Sequence, residues 1–130
     1  MVLALPAAAF GLNRIHRKIP MEIRFAESDS EIDSCYQAMQ ELRPHLPGET
    51  FCSRIREQKQ SGYRLVYLVE DVKPLAVAGF RISRNLAWGR FLYVDDLVTS
   101  SSYRSLGYGS KLLSWLIDYA VQQMVVRSKL

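Results

Sequence analysis

The sequence predicts one α/β domain built on a mixed sheet, with its elements in the order β-α-α-β-β-β-α. Three observations predict this fold class. Short segments rich in β-branched and aromatic residues are separated by segments whose apolar residues recur every three or four positions. A polar loop with two glycines joins the last strand-like segment to a long amphipathic one. The length of 130 residues fits one compact domain, since such domains commonly have about 100–150 residues.

The first part of the predicted domain reads as a strand followed by two helices. Residues 21–26 alternate in polarity, as a half-buried strand does. Ser28 and Glu31 have the spacing of a capping box, which marks a helix start. Pro44 ends that helix, because the residue before a proline is disfavoured in the helical conformation. One apolar stripe runs along it, formed by Ile32, Cys35, Tyr36, Met39 and Leu42. A second helix is predicted within residues 50–62.

The middle of the chain predicts an antiparallel hairpin. Residues 63–70 and 75–83 are rich in β-branched and aromatic side chains, and the four-residue connector between them contains a turn-forming Asp and a Pro. Gly79 lies inside the second strand. A glycine there predicts a bulge or a close packing contact rather than a contact with a ligand.

The last part of the chain predicts a strand over residues 92–99, a polar loop over residues 100–108 and a helix beginning near Gly109. The helix shows a helical apolar period and is therefore expected to pack on the core. Its predicted core-facing residues are Leu112, Leu113, Leu116, Ile117, Ala120, Val121 and Met124.

Composition excludes several classes of function. The net charge is +4, but residues 1–20 supply three of these charges and the other basic residues are scattered, so no nucleic-acid partner is predicted. No apolar run approaches the roughly 20 residues of a membrane span, so no membrane partner is predicted either. The two cysteines and two histidines lack the spacing of a metal site or a disulfide framework. We therefore expect no metal and a cytoplasmic location.

Residues 1–20 are predicted to be an N-terminal extension outside the domain, which would span residues 21–130. The extension has its apolar half first and its basic residues second, which reverses the order of a secretory signal. An organelle transit peptide, a translated upstream segment and a cloning artefact all fit this pattern.

The polar loop before the last helix predicts a binding site for a phosphate group. The first backbone N–H groups of a helix have no partner within it, and the helix dipole favours negative charge there. A dinucleotide-binding fingerprint would need a third glycine after Gly109, and a P-loop would need a glycine further upstream of Lys111; both are absent. The alternative is that the two glycines form only a turn and a helix entry.

The segment Arg104-x-x-Gly107-x-Gly109, preceded by DDLVT and followed by an apolar helix, resembles the acetyl-CoA-binding motif of the GCN5-related N-acetyltransferase (GNAT) superfamily. The resemblance implies the acyl-CoA N-acyltransferase fold and transfer of the acetyl group of acetyl-CoA to a primary amine of a small molecule or a protein. It implies acetyl-CoA and an amine acceptor as partners. A catalytically impaired module that binds coenzyme A, or serves assembly only, is the alternative. The implied cofactor-binding residues are Leu97, Val98, Thr99, Arg104, Ser105, Leu106, Gly107, Tyr108, Gly109 and Ser110.

The catalytic residues are less clearly indicated. Many members of this family carry a glutamate near the position of Leu92, and this sequence has no acid there. Asp95 and Asp96 are the nearest carboxylates and are the candidate catalytic residues. Successive strand residues point to opposite faces, so only one of the two can face the cleft unless a bulge intervenes. Alternatively, both pair with nearby arginines, namely Arg81, Arg84 or Arg90.

The resemblance also implies further strands after the last helix. The sequence ends in VVRSKL before them, so the domain is expected to be truncated at its C-terminus. In that case the strand over residues 92–99 has a neighbour on one side only. Because bare strand edges tend to pair with other chains, we expect a homo-oligomer or a complementing partner at this edge.

Overall fold

The computed structural model describes the backbone of residues 20–128 and the side chains of residues 20–123. The predicted extension therefore lies outside the described residues, apart from Pro20. The described strands form one sheet in the order β1-β2-β3-β4, and each neighbouring pair is antiparallel. The strands are β1 (Glu22–Phe25), β2 (Arg64–Glu70), β3 (Lys73–Asn85) and β4 (Gly89–Thr99). The predicted α/β fold class is confirmed. All four described strands pair antiparallel where a mixed sheet was predicted, and three helices lie between β1 and β2 where two were predicted.

Helices cover both faces of this sheet. They are α1 (Asp29–Ser34), α2 (Tyr36–Leu42), α3 (Gly48–Lys59) and α4 (Tyr108–Ser128), with a short 3₁₀ turn at Ser101–Tyr103. Alternate residues of β2 face opposite layers, as the period of a strand requires. Leu65, Tyr67 and Val69 pack under the first three helices, whereas Val66 and Leu68 pack with Leu112 and Leu116 of α4. Because both faces of β2 are buried, its sequence is continuously apolar from Leu65 to Val69.

The first helical segment is two helices, so the prediction of a single helix was wrong. Ser28 caps α1 in the predicted capping box with Glu31. The Ser34 hydroxyl then donates to the Glu31 carbonyl at 2.7 Å, and the Cys35 N–H bonds to the Ile32 carbonyl at 3.0 Å instead. Serine hydroxyls that bond back to the preceding turn compete with the helical ladder. The helix is therefore interrupted at Cys35, and α2 restarts at Tyr36.

Fewer of the predicted residues of α4 pack against the core than expected. Leu112 and Leu116 are buried, and Trp115 and Tyr119 pack beside them. Leu113, Ile117 and Val121 are 40%, 56% and 56% exposed, so their predicted core-facing role was wrong. Ala120 is half-buried, and the side chain of Met124 lies outside the described residues. The three exposed residues lie four positions apart and form an apolar stripe along one side of the helix.

Candidate active site

A bulge in β4 sets the geometry of the site. Gly79 of β3 is opposite Asp96, and Phe80 is opposite Val94, so Asp95 is the additional residue in β4. A bulge interrupts the alternation of side chains and can redirect them. Both Asp95 and Asp96 consequently line one cavity, which strict alternation would not allow.

Asp96 is held by a tyrosine and an arginine from distant parts of the chain. The Tyr63 hydroxyl donates to Asp96 Oδ2 at 2.8 Å. Arg43, just after α2, donates from Nε to Asp96 Oδ1 at 2.9 Å, and its Nη2 lies 2.8 Å from the same oxygen. The Asp96 side chain is only 13% exposed. Its negative charge is therefore compensated and its position is fixed from two sides.

Asp95 has a different arginine partner. Arg81 Nε donates to Asp95 Oδ2 at 2.8 Å, and the same guanidinium donates to the Gln58 side chain and to the Ser61 carbonyl. Arg43 also contacts Asp95, through the backbone carbonyl at 3.1 Å. The predicted pairing of the aspartates with Arg81 is thus present for Asp95. The described contacts of Asp96 involve Arg43 and Tyr63, which sequence reasoning missed.

Tyr63 lies flat against the sheet, and Gly79 makes room for it. A Cβ added to Gly79 would lie 1.7 Å from the Tyr63 hydroxyl oxygen and 2.3 Å from Cζ. The prediction of a bulge or close packing at Gly79 is confirmed on both counts. Burial, followed by the charge of Asp96, raises the pKa of Tyr63 well above its usual value. Tyr63 is therefore a hydrogen-bond donor to Asp96 across the neutral pH range.

These groups border a cavity of about 260 Å³ between the α2–α3 region and β4. Apolar side chains of α2, of α3 and of the connection between them form part of its wall, and its charged groups are arginines and carboxylates. The lining residues are Met39, Arg43, His45, Leu46, Phe51, Arg54, Ile55, Glu57, Gln58, Tyr63, Arg81, Asp95 and Asp96. A concave, partly apolar site with a few convergent polar groups is what a small-molecule site requires.

The polar loop after β4 has the backbone geometry of an anion cradle. Ser105 and Gly107 have φ values of 69° and 83°, in the left-handed region. The Lys111 N–H donates to the Gly107 carbonyl at 3.1 Å, so the N–H groups of Tyr108, Gly109 and Ser110 precede this first helical bond. Loops that alternate in handedness before a helix point successive N–H groups at one place.

Gly109 lies where the loop approaches the end of β4. A Cβ on Gly109 would come within 2.9 Å of the Thr99 hydroxyl oxygen. Leu97 packs with the α4 side of the core, Val98 is buried under the other helices, and Leu106 is 59% exposed. The predicted cofactor-binding residues therefore form one continuous segment, from the end of β4 through the loop to the start of α4.

A carboxylate from α2 already contacts this loop. Glu41 accepts hydrogen bonds from the Ser101 N–H at 2.9 Å and from the Ser101 hydroxyl at 3.1 Å. Arg104 Nη2 lies 3.1 Å from the same carboxylate, and Arg104 Nε donates to the Thr99 carbonyl at 3.1 Å. One backbone N–H, one hydroxyl and one guanidinium thus hold an anionic group here. The loop side chains are chemically suited to an anion.

The described part of the chain, residues 20–128, contains no group of three metal-ligating side chains that could hold a metal ion. Within the same residues no helix is both long and apolar enough to cross a membrane.

The chain is similar to known acetyltransferases. The family model described as the acetyltransferase (GNAT) family matches residues 27–130. An uncharacterized N-acetyltransferase of Bacillus subtilis (strain 168), YhdJ, is 37% identical over 95 residues, which cover 72% of this chain and 66% of that relative. The chain thus spans slightly less than two thirds of the length of this relative.

Solved structures share the fold. A GNAT family acetyltransferase of Staphylococcus aureus has a TM-score of 0.71 at 15% identity, covering 79% of each chain. An aminoglycoside N-acetyltransferase, AAC(6')-Iy, solved in complex with CoA, has a TM-score of 0.67 at 15% identity, covering 80% of this chain and 71% of that one. At these identities the likeness shows the fold alone.

Proposed function

The chain belongs to the GNAT family of acetyltransferases, and from that premise we propose that it transfers the acetyl group of acetyl-CoA to a primary amine of a small molecule or a protein. The observation that carries the proposal is the β4 bulge. It directs Asp95 and Asp96 into one cavity, on the strand that continues into the glycine-containing loop. A candidate acceptor site and a candidate phosphate site are thereby connected by the end of β4, residues 97–99, and the start of the loop, residues 100–103.

The loop residues fit the proposed co-substrate. A Cβ on Gly107 would meet nothing within 4 Å, so the space beside this left-handed residue is open to a phosphate that approaches the N–H groups of residues 108–110. The missing side chain of Gly109 lets the loop pack closely against Thr99 at the end of β4. Because Arg104 and the Ser101 N–H are already paired with Glu41, the proposed phosphate contacts come mainly from the backbone N–H groups of residues 108–110. We propose that residues 104–110 hold the pyrophosphate and that the backbone of residues 97–99 holds the pantetheine arm.

In the proposed mechanism the aspartates act on the acceptor amine. When bound, acetyl-CoA supplies an activated thioester carbonyl. An amine reaches the cavity mostly as an ammonium, and Asp95 or Asp96 accepts its proton, so that the nitrogen lone pair can attack. A backbone N–H near Leu97 donates to the oxygen on which negative charge develops. Formation of the C–N bond leaves the nitrogen with one proton too many, which it loses to solvent. The C–S bond breaks as the carbonyl re-forms, and the thiolate takes a proton from solvent.

Acetyl transfer is tested directly by mass spectrometry of candidate amines incubated with the protein and isotope-labelled acetyl-CoA. Acetylated product that depends on the protein supports the proposal. The alternative, a module that binds coenzyme A without catalysis, predicts binding and no product. In that case heating with acetyl-CoA at 100 times its Kd still stabilises the fold by about 2.7 kcal/mol.

We predict that Gly109→Val weakens coenzyme A binding by at least about tenfold, because the new side chain would collide with the Thr99 hydroxyl and displace the loop N–H groups that are proposed to hold the phosphate. Calorimetric titration measures the Kd. The control is Gly48→Ala at the start of α3, where the added Cβ meets only the Tyr36 ring at 3.2 Å. Equal Kd values for Gly109→Val and the original protein would refute the phosphate assignment. A thermal melt checks that contact with Thr99 does not unfold the variant.

We also propose that the chain self-associates, or takes a complementing partner, at the edge formed by residues 92–99. Among the described strands, β4 pairs only with β3. Leu113, Ile117 and Val121 of α4 expose an apolar stripe as well. An unpaired strand edge, together with exposed apolar surface, tends to be covered by another chain.

The prediction is a dimer or larger species in analytical ultracentrifugation at micromolar concentration. Ile117→Glu places a charge on the stripe and should shift the equilibrium toward monomer, whereas Asp118→Asn on the polar side of α4 should not. A monodisperse species of 14.9 kDa for the original chain would contradict the proposal.

A further inference from the structure

The cavity beside Asp95 and Asp96 holds equal numbers of fixed positive and negative charges. Three arginines and three carboxylates line it. Two ion pairs, Arg43 with Asp96 and Arg81 with Asp95, compensate four of these six groups. The remaining two are Arg54 and Glu57, both on α3. His45 adds a further polar group at the wall.

Arg54 retains binding capacity. Its Nε donates to the Thr50 hydroxyl at 3.2 Å. Within residues 20–123 no carboxylate forms an ion pair with it, although Glu57 lies one helical turn away. The two terminal nitrogens of a guanidinium are arranged to bind both oxygens of one carboxylate. An anionic group of a ligand in this cavity can therefore bind to the two terminal nitrogens of Arg54.

We infer that the acceptor of this protein is a small amine that carries its own carboxylate. The inference rests on the proposed acetyl transfer and names its substrate class. Arg54 binds the carboxylate, while the amine is directed to the aspartates on β4. Asp95 and Asp96 are each paired with an arginine, whereas Arg54 has no carboxylate partner among residues 20–123, so a carboxylate on the acceptor adds a contact that a simple cation cannot make. A zwitterion matches both the unpaired guanidinium and the carboxylate pair.

The walls of the cavity favour an apolar body for the rest of the acceptor. Met39, Leu46 and Phe51 line the apolar side. An amino acid with an aliphatic body, such as L-leucine or 6-aminohexanoate, combines this apolar contact with both charges.

The test is calorimetric titration of the coenzyme A-saturated protein with matched ligands. The acids are L-leucine and 6-aminohexanoate, and their neutral-tailed counterparts are L-leucinamide and hexylamine. At least one acid should bind about tenfold more tightly than its counterpart, as expected for one charge-assisted carboxylate contact that is partly open to solvent. The preference should weaken as salt is added, because the contact is exposed.

Three variants identify the residue responsible. Arg54→Gln should abolish the preference for the acid. Arg56→Gln, on the same helix but paired with Asp29, should retain it. Glu57→Gln should strengthen binding of the acid, since it removes a like charge next to the ligand carboxylate. Thermal melts of all three establish that they remain folded.

Equal affinity for the acids and their counterparts, a preference that survives Arg54→Gln, or no binding of any of the four ligands would overturn the inference. Failure of this inference about the acceptor can be distinguished from failure of the proposed acetyl transfer. Arg54-dependent binding of an acid without acetylated product would uphold the ligand class and refute catalysis. Acetylation of hexylamine as efficiently as 6-aminohexanoate would uphold catalysis and refute the ligand class.

Discussion

Asp96→Asn is expected to lower kcat/KM for acetyl transfer by about 10²- to 10³-fold, within the range for losing a general base. The asparagine has nearly the same shape and can still accept the Tyr63 hydroxyl, which lies 2.8 Å from the carboxylate in the original protein. It cannot take a proton from an ammonium at neutral pH. It also leaves Arg43 without its compensating charge, and the added positive charge beside it repels the ammonium group of the acceptor.

Steady-state kinetics with saturating acetyl-CoA measure this effect, and Asp95→Asn measured in parallel shows which carboxylate contributes more. Asp118→Asn on the exposed side of α4 is the matched control, because it makes the same chemical change away from the cavity. Coenzyme A affinity should be unchanged in all three variants. Wild-type activity in both site variants would mean that the aspartates only fix the two arginines, and the base would have to be sought elsewhere.

The local features of the fold were predictable because the residues that determine them are adjacent in sequence. The capping box needs only Ser28 and Glu31, and the β2–β3 hairpin needs two β-rich segments and a short connector. The break at Cys35 was missed although it is also local. Its cause, the Ser34 hydroxyl bonded to the Glu31 carbonyl, depends on one side-chain rotamer that the apolar stripe does not report.

Only the residues of the candidate site that lie close together in the sequence could be predicted. Asp95, Asp96 and the loop with Gly107 lie within one short segment, so a sequence pattern can identify them. The groups that complete the site come from far along the chain. Arg43 is 53 residues from Asp96, and Glu41 is 63 residues from Arg104. Pairings over such separations follow from how α2 packs beside β4, and no periodicity in one sequence encodes that packing.

At Gly79 one feature of the structure could be predicted from the sequence and another could not. A glycine inside a strand predicts a bulge or a close contact. The identity of the contacting residue, Tyr63, follows from the register of β2 against β3, in which Leu65 is opposite Gly79. The prediction of the feature was therefore right, while its consequence for the aspartates required the three-dimensional structure.

Gly79→Ala is expected to cause the largest loss of stability of any single methyl addition in this sheet. The new Cβ would lie 1.7 Å from the Tyr63 hydroxyl oxygen, and Tyr63 is buried, so the ring must leave its site. Overpacking costs about 1–3 kcal/mol, and the lost hydrogen bond to the largely buried Asp96 adds about 1–3 kcal/mol. The free energy of unfolding should therefore fall by about 2–6 kcal/mol, which thermal or urea denaturation would measure.

Substitutions of Tyr63 in the Gly79→Ala protein test whether the clash between these two side chains causes the loss of stability. Phenylalanine should not rescue Gly79→Ala, because the Cβ would still lie 2.3 Å from the ring carbon Cζ. Alanine at position 63 removes the ring, so adding Gly79→Ala to Tyr63→Ala should cost less than about 1 kcal/mol, and the double-mutant cycle should show strong coupling. Additive effects of the two substitutions would contradict the packing described here. Because Tyr63 also positions Asp96, any folded Gly79→Ala protein should lose acetyl transfer while retaining coenzyme A binding.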